Sequence, residues 1–233
     1  MVRLNKAMSM LGICSRRDAD FYINEGKIKV NGSLVKEVGV KVSGGDVIGF
    51  AGKNFKFQEE MEHKVWLYYK PVGLVTTHSD EKNRETVFDD LREKIKERVI
   101  SVGRLDLNSE GLLLLTNSGD FARFAESPKT GWERHYKVRV FGVPDQDMLR
   151  KLEGGMIIDG FKYAPMTIKS VDKMVSRNCW IDCILREGKN REIRNLFEHF
   201  GLQVSRLIRY KYGPYDLKDM KPGEVVEGDD YRF

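Results

Sequence analysis

The sequence predicts an α+β fold in two domains, and three observations lead there. Apolar runs of strand length, such as Val65-Trp66-Leu67-Tyr68-Tyr69 and Leu112-Leu113-Leu114-Leu115-Thr116, are interspersed with segments whose apolar residues recur at helical spacing. The two kinds of segment do not alternate with the regular βαβ beat of a doubly wound sheet. A polar stretch with little apolar periodicity, Gly52–Glu62, divides a compact, well-punctuated first part from the remainder, so the linker is expected there. A chain of 233 residues can bury a core of one or two domains.

Within the first part, Leu4, Ala7, Met8 and Leu11 fall at i, i+3, i+4 and i+7, one helical face, and Gly12 ends that helix. Ser15 can cap a second helix, with Asp18 three residues on in the capping-box position. Phe21, Tyr22 and Ile23 supply its apolar side and Gly26 ends it. Residues Lys27–Val35 read as a hairpin, because Asn31-Gly32 tolerates the positive φ of a type I′ turn.

The second part opens with the strand Val65–Tyr69, which breaks at Lys70-Pro71-Val72-Gly73 and resumes as Leu74–Thr77. A helix is expected over Thr86–Lys96, with Val87, Leu91 and Ile95 on one side, then a strand at Val99–Val102. Further strands are expected at Tyr136–Phe141, Thr167–Val171, Cys179–Leu185 and Val204–Tyr212, and helices at Asp120–Ala125, Asp145–Leu152 and Asn190–Phe200. In the last helix Ile193, Leu196, Phe197 and Phe200 form the buried stripe. Arg191 and Arg194 share an adjacent face near its start, where a cation opposes the macrodipole and calls for a compensating carboxylate or phosphate.

Apolar content of 41% and charged content of 32% describe a globular chain rather than a disordered one. No apolar run approaches the roughly 20 residues of a membrane helix, and the first residues lack a secretory signal, so a cytoplasmic protein without membrane contact is expected. Three cysteines, Cys14, Cys179 and Cys183, are no disulfide framework; the last two lie on one face of a strand and are expected to be buried. His63, His78, His135 and His199 show no ligand spacing, so no metal is expected. The net charge of +5 is unevenly spread: residues 1–53 carry nine Lys/Arg against five Asp/Glu, and residues 186–211 carry seven against three. Two basic zones in a mildly acidic body point to two contact surfaces for a polyanion, with nucleic acid favoured.

The segment Gly103-Arg104-Leu105-Asp106, followed by Glu110-Gly111 and the all-apolar Leu112–Leu115, is the most informative in the chain. An aspartate in such a loop can be a nucleophile, a base or a turn former. The following strand is apolar at consecutive positions, so both its faces are expected to be buried and the loop to be anchored deep. The stretch resembles the pseudouridine synthase signature G-R-L-D-x-x-[TS]-x-G-L-L-L-L-T. Lys70-Pro71-Val72-Gly73 resembles that family's first motif, His135-Tyr136-Lys137-Val138-Arg139-Val140 the strand with its active-site tyrosine, and Arg186–Arg194 the motif that brings an arginine to the catalytic aspartate. Arg3-Leu4-Asn5-Lys6, Ser15-Arg16-Arg17-Asp18-Ala19 and Ile28-Lys29-Val30-Asn31-Gly32 resemble a small αL RNA-binding domain of the S-four type.

The resemblance covers both domains, and among ribosomal RNA synthases it is nearest the type B enzymes of the large ribosomal subunit. It implies an S-four-like RNA-binding domain over residues 1–58 and a catalytic domain over 62–233 with a mixed, mainly antiparallel sheet. It implies isomerisation of uridine to pseudouridine in ribosomal RNA, 23S first and 16S as the alternative, by a monomer acting on ribosomal RNA or an assembly intermediate. The reaction neither changes oxidation state nor transfers a group, so no cofactor is implied. Asp106 becomes the catalytic carboxylate, Arg194 its partner, and Tyr136 the group that stacks on a flipped uracil. Arg104, Lys70, Ile193, Arg191 and Lys189 are implied at the substrate, and Arg3, Lys6, Arg16, Arg17, Lys27 and Lys29 on the RNA. Glu192 and Asn195 depart from a glutamine and an arginine common in relatives, and both reduce the positive charge expected of an RNA-facing helix. Two other classes stay open: a non-catalytic RNA-binding assembly protein on the same scaffold, and a nucleoside glycosidase, for which Glu110 is the nearby second acid.

Overall fold

The computed structural model describes residues 1–60, 62–172, 178–229 and 231. Met61 of the expected linker, and the end of the expected catalytic domain at 232–233, lie outside the described residues. The chain forms two compact units: residues 1–64 with 97–100 and 117–119, and residues 65–96, 101–116 and 120–233.

In the first unit the helices Leu4–Met10 and Arg16–Asn24 precede a four-stranded sheet. Ser15 accepts from the Asp18 amide at 3.1 Å while Asp18 accepts from the Ser15 amide at 3.3 Å, so the expected capping box is formed. Asn31 and Gly32 have φ of 50° and 83°, the geometry of the expected hairpin turn. Leu4, Ala7, Met8, Ala19, Ile23, Ile28, Val42, Ile48 and Phe57 make the core. Phe21 departs from expectation: it is 56% exposed, because the helix buries Ala19 and Ile23 instead. The expected linker also begins too early. Lys53–Lys56 is a strand paired with Val47–Phe50, and the turn between them uses Ala51 and Gly52 at positive φ. Asn117 draws its segment into this unit, accepting from the Lys64 amide at 2.9 Å and donating to the Glu62 carbonyl at 3.2 Å.

The second unit is built on one large sheet. Its main path runs Thr167–Val171, Asn178–Leu185, Arg134–Phe141, Gln203–Tyr212, Glu110–Thr116, Val65–Lys70 and Val225–Glu227. Every pairing along that path is antiparallel except the one between Gln203–Tyr212 and Glu110–Thr116. Glu110–Thr116 is buried at all seven positions, as its unbroken apolar run requires. The helix Glu192–His199 lays Ile193, Leu196 and Phe197 on the sheet, in a core with Tyr136, Val138, Ile181, Cys183 and Leu207. Cys179 and Cys183 are buried as expected.

Two expected elements differ from the reading of the sequence, and the strands Met156–Ile158, Phe161–Tyr163 and Val225–Glu227 were not among those expected. Leu74–Thr77 is not a strand; only Val75 forms an isolated bridge, to Thr86, and Gly73 at φ 96° turns the chain away from the sheet. The helix after it covers Val87–Leu91 alone, capped by Thr86, and a turn of bonds onto the Leu91 carbonyl brings Ile95 to the core.

The parallel join is narrow. Ile208 pairs with Glu110 and Arg209 with Gly111. Gly111 has φ of 105°, and a Cβ there would stand 2.2 Å from the Arg209 carbonyl oxygen and 2.9 Å from its amide nitrogen. Gly111→Ala is therefore expected to destabilise the protein by roughly 2–5 kcal/mol in denaturant titrations, from combined backbone strain and overpacking. Gly103→Ala, at φ 68° with open space around it, is expected to cost only roughly 1–2 kcal/mol.

Candidate active site

The segment from Leu105 to Ser109 is held by its backbone. Five successive carbonyls accept hydrogen bonds, each from a different donor. Leu105 accepts from the Thr76 hydroxyl at 2.8 Å, Asp106 from the Ser109 amide at 3.0 Å, and Leu107 from the Gly73 amide at 2.9 Å. Asn108 accepts from Arg194 Nη2 at 2.8 Å, and Ser109 from Lys70 Nζ at 2.9 Å. The Gly103 amide in turn donates to Glu126 at 2.7 Å. A loop with so many satisfied carbonyls presents the Asp106 side chain from a fixed backbone.

Asp106 lines a cavity of about 700 Å³ together with Arg104, Tyr136, Arg191, Ile193 and Arg194. Its carboxylate is about one third exposed, and Arg191 Nη1 lies 4.0 Å from Oδ2. Arg191 precedes the helix Glu192–His199 in a left-handed conformation, φ 49°, which sets its side chain apart from the helical face it was expected to share with Arg194.

Arg194 corrects one expectation. It does not ion-pair with Asp106; it bonds the loop that carries Asp106. Its Nη2 donates to the Asn108 carbonyl and, at 3.3 Å, to Ser109 Oγ, while Nη1 donates to the Val204 carbonyl at 3.1 Å. Burial and the nearby Arg191 weaken its basicity, and Asp106 and Glu198 oppose that. Lys70 corrects another. It is fully buried and bonds the Pro71 and Ser109 carbonyls, so it reaches no nucleic acid. Desolvation pushes its ammonium down to about 8, against the pull of Asp106 and Glu110.

The other predicted residues divide between the units. Tyr136 is buried and Ile193 packs in the same core, both at the cavity. Arg104 is exposed at the cavity, and Lys189 is tied to Glu187 and the Lys162 carbonyl. Arg3, Arg16, Arg17, Lys27 and Lys29 are exposed in the first unit, and Lys6 is half-buried there.

The sequence reading overlooked Arg134, Arg209 and Tyr212, which also line the cavity. Tyr212 is 1% exposed; its hydroxyl donates to the Ala125 carbonyl and accepts from Arg134. Arg134 is two residues from Tyr136 on one strand, and Tyr136 pairs with Arg209. Strand alternation from Tyr136 was the available signal.

Two acids prove to be buried. Glu110 accepts from Arg206 at 2.6 and 3.1 Å and from the Tyr69 hydroxyl at 3.1 Å, and these bonds hold its carboxyl below the usual range. Glu192, expected to reduce the charge of an exposed face, is instead 3% exposed and accepts from the Lys189 amide at 3.0 Å. Burial and the adjoining Glu187 push its carboxyl up to about 8. Asn195 donates to the Tyr163 hydroxyl and the Asn190 carbonyl.

The RNA pseudouridylate synthase family profile matches residues 64–199, and the S4 domain profile matches residues 2–48. A Rickettsia bellii protein that carries the name uncharacterized RNA pseudouridine synthase is 48% identical over 227 residues, covering 97% of this chain and 96% of that one. The ribosomal large subunit pseudouridine synthase B of Bacillus subtilis is 39% identical over 229 residues, covering 97% and 92%. A crystal structure of a pseudouridylate synthase shares the fold, with a TM-score of 0.68 at 24% identity over 98% of this chain and 96% of that one.

Glu192 generates a pH dependence. Its folded pKa lies above the ordinary 4.5, so it favours folding most below that value and loses this contribution as pH rises toward about 8. Glu192→Gln keeps the shape of the protonated acid and removes the titration. Thermal melts are expected to show the variant matching wild type near pH 5 and exceeding it near pH 9; equal melting curves at both pH values contradict the assignment.

Proposed function

This chain belongs to the RNA pseudouridylate synthase family, and we propose that it isomerises uridine to pseudouridine in ribosomal RNA with Asp106 as the catalytic carboxylate. RNA of the large ribosomal subunit is the favoured substrate, because relatives that match nearly the whole chain carry the name ribosomal large subunit pseudouridine synthase B. One observation carries the residue assignment. A carboxylate on a backbone-pinned loop faces a cavity that also holds a buried tyrosine and several arginines.

The proposed chemistry follows from that placement. A base stacked in RNA cannot reach the cavity, so the target uridine is flipped into it. Asp106 acts at the sugar or base when the N-glycosidic bond breaks, with Arg191 as the cation beside it. Tyr136 stacks on the uracil and serves as a route for its proton. Arg104, exposed at the cavity, holds a backbone phosphate. Arg194 acts through the loop rather than on the substrate. Residues 1–58 form the proposed RNA-binding domain and 62–233 the catalytic domain, with Arg16, Arg17, Lys27 and Lys29 among the phosphate contacts.

The glycosidase reading loses its second acid. Glu110 is bound by Arg206 and Tyr69 and kept ionised, whereas a general acid must hold a proton at working pH.

Asp106→Asn is expected to bind ribosomal RNA from cells lacking the protein as wild type does, and to form no pseudouridine in it. Normal turnover by this variant excludes Asp106 as the catalytic carboxylate. Replacing Arg16 and Arg17 together by Gln is expected to flatten the slope of log affinity against log salt by about 1–2. An unchanged slope removes these residues from the RNA contact.

A further inference from the structure

The cavity holds two deeply buried cations to which the proposed chemistry gives no task. Arg209 is 3% exposed and Arg134 is 6% exposed. Both guanidinium groups lie over the Tyr212 ring, 4.7 Å from its centre for Arg134 and 5.0 Å for Arg209. Arg134 is satisfied locally by the Tyr212 hydroxyl at 2.8 Å and the Glu126 carbonyl at 3.2 Å. Arg209 is not. Its Nε donates to the Leu112 carbonyl at 2.8 Å, but Nη2 is buried without a hydrogen-bond partner. Among the described residues no carboxylate of the cavity bonds Arg209: Asp106 faces Arg191, Glu187 holds Lys189, Glu126 accepts from the Gly103 amide, and Glu192 accepts from the Lys189 amide through Oε2 while its Oε1 is buried without a partner.

A buried guanidinium with an unused donor and no neighbouring carboxylate calls for an acceptor from outside the protein. The depth of the site selects its chemistry. Arg104 is exposed and Asp106 is about one third exposed, whereas Tyr136, Arg134, Arg209 and Tyr212 are all more than nine-tenths buried. A flipped nucleotide keeps its phosphates at the mouth and sends its base inward. Aromatic and aliphatic walls from Tyr136, Leu207 and Ile193 suit a planar ring better than a phosphate.

We infer that Arg209, supported by Arg134 and Tyr212, is the donor that receives a carbonyl oxygen of the inserted uracil and bears the negative charge of the ring when its bond to the sugar breaks. The inference rests on the pseudouridine synthase reading above. When N1–C1′ breaks, both electrons stay on the uracil and spread over N1 and the two carbonyl oxygens. C5 then bonds C1′, the C5 proton leaves, and N1 takes up a proton, so no oxidant or further reactant enters. A preorganised cation at the oxygen lowers the barrier to the first step. At O4 the same donor also favours uracil over cytosine, whose exocyclic amine presents hydrogens at that position.

The test uses the full-length protein and a ribosomal RNA fragment spanning a mapped target uridine, prepared with uridine or with 5-fluorouridine there. Fluorine makes the base a better leaving group, which needs less help from the protein. Arg209→Gln is expected to bind the uridine fragment within about threefold of wild type, with an unchanged salt slope, yet to react about a hundredfold or more slowly at saturation. Its deficit should shrink on the 5-fluorouridine fragment, read as loss of the original glycosidic bond, and Arg209→Lys should recover part of the rate. An equal deficit on both fragments means Arg209 acts only through the fold and overturns the inference. Weaker binding with a salt slope reduced by about one, at a normal saturating rate, assigns Arg209 to a phosphate and also overturns it. If wild type converts neither fragment, the underlying functional reading fails; if wild type reacts and the variant matches it, the inference alone fails.

Discussion

The guanidinium of Arg194 holds the site together. It lies on the helix Glu192–His199, it is 6% exposed, and its three bonds reach two separate parts of the chain. One goes to the Val204 carbonyl, near the start of the strand Gln203–Tyr212; the others go to Asn108 and Ser109, in the loop before the strand Glu110–Thr116. A hydrogen bond from a charged donor contributes about 1.5–3 kcal/mol, and a buried carbonyl left unmade costs a comparable amount. Losing Arg194 would therefore strand the buried Val204 carbonyl and, with the Asn108 and Ser109 bonds gone, loosen the backbone that presents Asp106.

The sheet imposes the same closeness from the other side. Those two strands form the parallel pairing of the main path, and their contact is so tight at Gly111 that no Cβ fits. Lys70, at the end of Val65–Lys70, completes the arrangement by bonding the Ser109 carbonyl. The three strands and the helix thus converge on five residues of loop. Two of the five anchors are cations, yet neither Arg194 nor Lys70 forms an ion pair with the aspartate, because both are occupied with backbone oxygens.

Much of this was legible in the sequence. The capping box at Ser15 and Asp18 and the Asn31-Gly32 turn are local and came out as read. So did the buried strand after the loop, because consecutive leucines admit few other environments. What escaped depends on contacts distant in sequence or on single dihedral angles. A helical projection places Arg191 beside Arg194, but Arg191 takes φ of 49° and leaves that projection. Lys70 reads as a cation at the substrate until the strand it ends is seen to be buried at all six positions. Glu192 reads as a charge on an exposed face, although its helix turns it toward Glu187 and the protein interior. Arg209 sits in a strand whose charged residues suggest an exposed face, and only pairing with Tyr136 reveals which of them turn inward.

The central claim is that Asp106 works because its loop is fixed, and that Arg194 fixes it without touching the substrate. The most direct measurement is the single-turnover rate of pseudouridine formation by Arg194→Lys at saturating RNA, with affinity measured alongside. Lysine keeps the charge but cannot bridge Val204, Asn108 and Ser109 together. Affinity is expected within about threefold of wild type and the rate lower by about a hundredfold, the cost of a misplaced reacting group. A wild-type rate, or a loss confined to affinity, would contradict the claim.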